Sequence, residues 1–225
     1  MTAALPPPPL TAAALTRRHF ATPEQPLPDA APGISWIVAA NGIFKRGVND
    51  RLDLLIRVAP LEAPIAGLSM LLPHVRWAPW PQRLPAGFLT ALLGNARQAM
   101  SAGALARPVE KQYFIVFRDG GPHLITPRGQ DATAGRVSYV MPVRGSILVD
   151  LHSHHELPAF FSQVDDRDDV GLSVSVVVGR IFTRPELACR LNVYGARQIV
   201  PATLIFDGLG PFRDTLGGHD ADLAD

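Results

Sequence analysis

The chain has 225 residues, 47% of them hydrophobic and 18% charged, and 21 Lys and Arg stand against 20 Asp and Glu for a formal net charge of +1. That supplies one domain-sized core with something appended, and the near-balance of charge gives no electrostatic case for nucleic acid or an anionic membrane surface as partner. A single cysteine, Cys189, excludes an internal disulfide framework and a Cys-rich zinc site. The start, MTAALPPPPLTAAALTRRHF, lacks the basic flank and unbroken apolar run of a signal peptide, and no stretch of about 18 apolar residues follows. A soluble, cytoplasmic protein is expected.

Eight of the 22 prolines fall in the first 32 residues, in LPPPPL and TPEQPLPDAAP, a density that favours extended polyproline II. Residues 1–32 are therefore expected to form a mostly disordered arm. Next, ISWIVAANGIFKR and LDLLIRVAP carry β-branched and aromatic residues around Asn41 and Gly42, a strong hairpin signal. A small β-rich region over 33–82 is expected, with Trp36, Trp77 and Trp80 packing its core or its interface. It closes in RWAPWPQRLP, where three prolines in ten residues suggest a linker.

The pattern then changes to a mixed α/β domain expected over 83–210, with a tail over 211–225. Leu89, Leu92, Leu93, Ala96 and Met100 repeat at spacings of three and four, which predicts a helix over roughly 85–101 with one apolar stripe. EKQYFIVFRDGG reads as a buried strand entering a hairpin, and HLIT, RVSYVMPV and SILVDLHSH as further strands. A helical piece starts near Ser162, and GLSVSVVVGRIF and ELACRLNVYGARQIVP close the chain as two more strands. The expectation is a mixed sheet with one helix before it and one inserted in the middle. Cys189 is expected to be a small core residue, and DDRDD at 165–169 to be mostly a solvated charge cluster.

At the end of a strand, His152 and His154 point the same way while Ser153 points to the opposite face. A helix beginning near Ser162 sets Asp165 one turn on, where it can return toward the histidines. Two imidazoles and one carboxylate, with a fourth position left to water, make the donor set of a catalytic zinc. The alternative is that Ser162 is a helix N-cap and Asp165 its first-turn acid, which needs no metal. A hydrolytic zinc also needs a base, usually Glu. Of the five glutamates, at 24, 62, 110, 156 and 186, only Glu110 opens a core strand of the same sheet, while Glu156 is close to the histidines on a loop.

Glu110 followed by HSHHELPAFFSQVD resembles the E…HxH…SxxD motif of the JAMM (MPN, JAB) metalloproteases, with seven residues, 155–161, between the second His and the Ser. The order of leading helix, Glu-bearing strand and closing strands resembles that family too, over roughly 83–205. The resemblance implies a JAMM-like mixed sheet flanked by helices, with His152, His154 and Asp165 on zinc. It also implies Glu110 as general base and acid and Ser162 steadying the oxyanion. One departure stands out: the family usually has Pro after the second His, and here it is His155.

The Pro-rich start, IVAANGIFKR and the divergent HSHH further resemble the JAMM-like member of the PRTRC system, a set of plasmid- and island-borne prokaryotic proteins. That implies an isopeptide or C-terminal extension on a small ubiquitin-like protein as substrate, and an activating-enzyme-like protein as a companion. Two other readings compete. One is a JAMM-like scaffold that binds a partner without cleaving it. The other is a PHP-type phosphoesterase, suggested by VDLHSHH, although that fold needs several later histidines and only His219 follows.

Overall fold

The structure is a computed structural model that describes residues 16–100, 107–132, 137–138, 140 and 147–216. Five strands, β1 (Thr16–Phe20), β2 (Gly33–Ala39), β3 (Gly42–Val48), β4 (Leu52–Pro60) and β5 (His74–Trp77), form one sheet in sequential order. Only β1 and β2 are parallel in it; the others run antiparallel.

After helix α1 (Gly87–Ala96) comes a second sheet built from β6 (Lys111–Arg118), β7 (Gly121–Ile125), β10 (Ile147–Ser153), β11 (Leu172–Gly179), β12 (Glu186–Val193), β13 (Ala196–Val200) and β14 (Arg213–Asp214). Short β8 (Asp131–Ala132) and β9 (Val137–Ser138) pair with each other. The order is β13-β12-β11-β10-β6-β7, with β14 beside β12. β10 and β11 are parallel, whereas β10 with β6 and β11 with β12 are antiparallel. Parallel neighbours need a crossover. Here it carries α2 (Gln163–Asp168), so the helix starts from the end of β10 that bears the histidines.

The two faces of this sheet differ in chemistry. Val149, Leu151, Val174, Val176, Cys189 and Leu191 point inward to α1 and are buried in the main core, as Cys189 was expected to be. The opposite face carries polar groups beside a small apolar cluster at Val177 and Ala188, and the register lines up Asp150, Ser175 and Arg190 in one row across β10, β11 and β12. The mixed α/β class stands, with strands predominating. The helix stripe is seen at Leu89, Leu92, Leu93 and Ala96, but Met100 is exposed and pairs with Pro108 outside the helix.

Several expectations are corrected. Part of the stretch expected as a disordered arm is ordered: β1 extends the first sheet, Ala21 is fully buried, and Arg46 donates to the Pro28 carbonyl at 2.5 Å. Residues 1–15 lie outside the described residues. The Asn-Gly hairpin exists, but its two loop residues are Ala40 and Asn41, since Ala39 pairs with Gly42. Asn41 is there for another reason: its side chain brackets the backbone of Leu71, donating at 2.7 Å and accepting at 3.0 Å. Gly42 is required because a Cβ on it would stand 2.5 Å from the Ala59 carbonyl oxygen.

The expected linker is not a free tether. Trp77 and Leu84 are buried in the main core with Leu52, Leu54 and Ile56 of β4. Leu84 exchanges backbone hydrogen bonds with the 205–207 segment, and Asp207 accepts from the Ala86 N–H at 2.7 Å, just before α1. The first sheet therefore shares its core with the second. A Cβ on Gly47 would collide with Leu172, and Lys45 Nζ donates to the Tyr194 carbonyl at 2.8 Å. Residues 211–216, expected in the tail, include β14, and Phe212 is buried. ELACRLNVYGARQIVP is two strands turning at Tyr194 and Gly195, both at positive φ. Of RVSYVMPV, expected as one strand, only Val137, Ser138 and Val140 are described.

Candidate metal centre

His152 and His154 occupy the last turn of the strand pattern, with Ser153 between them facing inward to accept the Lys111 N–H at 3.1 Å. Their Nε2 atoms stand 3.1 Å apart, with ring centroids at 4.9 Å. His154 Nδ1 lies 3.2 Å from the Pro158 carbonyl oxygen. A carbonyl can only accept, so Nδ1 carries the proton and Nε2 keeps its lone pair, the tautomer that suits a ligand. Burial holds His152 down at about 4 and lowers His154 as well, so both imidazoles are neutral near pH 7.

Asp165 is brought in by α2. Its Oδ2 accepts the Ser162 N–H at 2.6 Å, while the Ser162 Oγ accepts from Val164 and Asp165 N–H at 3.2 and 3.3 Å, a complete capping box. Oδ1 remains free of the cap and faces His152 Nε2 at 3.6 Å. The two readings of SxxD are thus compatible: one carboxylate oxygen caps the helix and the other faces the imidazoles. Ser162 is an N-cap in this structure, and an Oγ that accepts two bonds still has its own proton to donate.

Among the described residues, His152, His154 and Asp165 form a set whose donor atoms all lie within 4.8 Å of one another. Two ligands on a tetrahedral zinc, each about 2.0–2.1 Å away, stand about 3.3 Å apart, close to the observed spacing of the two imidazole nitrogens. Both imidazoles are neutral, one tautomer is fixed, and the carboxylate is anchored through its other oxygen. These residues fit the group.

Glu110 precedes β6, and its Oε1 lies 3.9 Å from His154 Nε2. Burial, helped by the nearby Asp165 charge, raises its carboxyl to about 7. A half-buried carboxyl tuned toward neutrality beside a ligand set is what general acid and base work requires. Glu156 is exposed. His155 is not in the donor set: it is buried at a φ of +35° and neither ring nitrogen has a partner among the described residues.

The loop after His154 is pressed onto the end of β11. A Cβ on Gly179 would run into the backbone of Pro158 and Ala159 and come within 2.5 Å of the Leu157 carbonyl oxygen, so only glycine allows the approach. Arg180 and Ile181 N–H donate to the carbonyls of Leu157 and His155 at 2.7 and 2.8 Å, and Glu186 accepts the Ala159 N–H at 3.2 Å. This packing presents the Pro158 carbonyl to His154. It also leaves Phe160 half exposed, edge-on to His154 at 4.7 Å.

A cluster that sequence reasoning missed holds α2 down. Buried Arg190 of β12 reaches Asp166 at 2.5 Å and Asp169 at 2.8 Å, stacks over Phe161 at 4.0 Å, and shares Asp169 with the Ser175 hydroxyl at 2.7 Å. The acidic run is therefore not mainly solvated. An Arg on the polar side of an otherwise apolar strand, with an acidic run upstream of it, was the available signal.

The family model for prokaryotic homologs of the JAB domain matches residues 97–192, a range that contains all five motif positions. Over that range the chain is similar to JAB-type domains, which supports the JAMM/MPN family, a class that includes zinc metallopeptidases. No curated protein matches the chain. No helix among the described residues is long and apolar enough to cross a membrane.

Proposed function

We propose that the chain is a zinc-dependent peptidase of JAMM type that hydrolyses a peptide or isopeptide bond at the C-terminal tail of a prokaryotic ubiquitin-like protein, within a PRTRC-like system in the cytoplasm. The observation that carries this reading is the meeting of two neutral imidazoles, a half-capped carboxylate and the raised Glu110 carboxyl at one end of β10. His152, His154 and Asp165 would hold the zinc, which supplies Lewis acidity and lowers the pKa of water to about 7.

The chain's own groups would do the rest. Glu110 takes the proton from the attacking water and returns it to the leaving amine. The Ser162 hydroxyl keeps a proton to offer the developing oxyanion. Leu157 and Phe160 expose apolar surface on the loop that packs against His154, suited to an extended tail. An activating-enzyme-like protein is the expected companion. Incubating the zinc-loaded chain with a C-terminally extended ubiquitin-like precursor and weighing the products tests the reading. A tail released by wild type and spared by Glu110→Gln supports it; bound but uncut precursor favours a partner-binding scaffold.

A further inference from the structure

Asp165 sits on a helix of six residues, too short to hold its place by its own hydrogen bonds. None of its residues is buried. What fixes it against the sheet is the guanidinium of Arg190, inserted from below. One Nη reaches Asp166, which follows Asp165 directly, and the other reaches Asp169, whose N–H donates back to the Asp165 carbonyl at 2.9 Å. Phe161, just before the cap, lies over the same guanidinium. Arg190 thus grips the chain on both sides of Asp165. Arg197 adds a second, more exposed contact to Asp166.

We propose that Arg190 is a positioning residue for the metal centre: by clamping Asp166 and Asp169 it fixes the distance of Asp165 from His152 and His154, and so sets zinc affinity. This rests on the zinc-site reading above. The alternative role is general stability, since removing one partner of a buried ion pair is costly anywhere. The two roles differ in what they predict for zinc. A planar fork that meets two carboxylates has no equivalent in the single ammonium of lysine. A group acting only through Asp165 must lose its effect on zinc once Asp165 no longer binds.

The test measures zinc affinity by chelator competition, on folded protein, for wild type, Arg190→Met, Arg190→Lys, Asp165→Asn and the Arg190→Met/Asp165→Asn pair. Amide exchange over residues 163–169 of the metal-free proteins is followed alongside. Groups that orient ligands typically change metal affinity by about 10- to 100-fold. A loss in that range is expected for Arg190→Met, with partial recovery in Arg190→Lys and faster exchange confined to α2. Adding Arg190→Met to Asp165→Asn should change zinc affinity by less than about twofold. Should Arg190→Met fail to fold, Asp166→Asn/Asp169→Asn releases the same clamp with the arginine retained, and the same loss is expected. Wild-type zinc affinity in the clamp variants, or losses that simply add in the double variant, would overturn the positioning role and leave the zinc site standing. A wild type that binds no zinc would instead overturn the site reading, and the proposal with it.

Discussion

The two faces of the β10–β12 sheet are made by the same strands, one residue out of step, yet they do different things. On the inner face Val149, Leu151, Val176 and Leu191 are almost wholly removed from water in a continuous apolar core. On the outer face Asp150, His152, Ser175, Arg190 and Asn192 take the alternate positions. The contrast separates stability from chemistry. Inner-face changes should cost folding energy and leave the ligand set intact, whereas outer-face changes should cost function first.

The largest expected effect is on the functional side. Glu110→Gln keeps side-chain volume and should retain zinc and fold, yet lose turnover by about 10²- to 10⁴-fold, read as kcat at saturating zinc. Its counterpart on the inner face is Leu191→Ala. Truncating a fully buried leucine should cost about 2–5 kcal/mol in urea unfolding, with zinc bound per folded molecule unchanged. Equal loss of turnover per folded, zinc-loaded molecule in both variants would erase the distinction between the faces.

The alternation that places His152 and His154 together was readable in the sequence, because a two-residue period in a strand is a local property. So was the turn spacing that sets Asp165 one turn beyond Ser162. Arg190 was not readable as a clamp, since its carboxylates lie more than twenty residues upstream and only the β10–β11 crossover brings them over β12. The arm failed for a related reason. Proline density argues against helix and central strand, but β1 is an edge strand, where lost ladder donors cost little, and its own five residues contain no proline. The linker expectation failed because Trp77 and Leu84, not the prolines around them, decide where that segment sits.

Smaller effects sharpen the comparison at its edges. Gly179→Ala forces a methyl into the loop backbone at 157–159 and should cost about 1–3 kcal/mol, seen in thermal unfolding, together with a weaker hold on His154. The first sheet gives a pH handle remote from the centre. Burial alone would raise the Asp53 carboxyl, but hydrogen bonds from Arg46 and His74 reverse this and hold it well below the usual carboxylate range. Its contribution is complete above the unfolded value and lost as pH falls toward the folded one. The unfolding free energy from urea titrations should therefore drop, by on the order of 1 kcal/mol between about pH 6 and about pH 3, and Asp53→Asn should flatten that part of the profile.

Zinc content bears most directly on the outer face as a metal centre. Elemental analysis of wild type, His152→Ala and Asp165→Asn, each purified without chelator and shown to be folded, should find close to one zinc per wild-type chain and almost none in either variant. A folded wild type without zinc, or both variants retaining it, would contradict the assignment of these residues as its ligands.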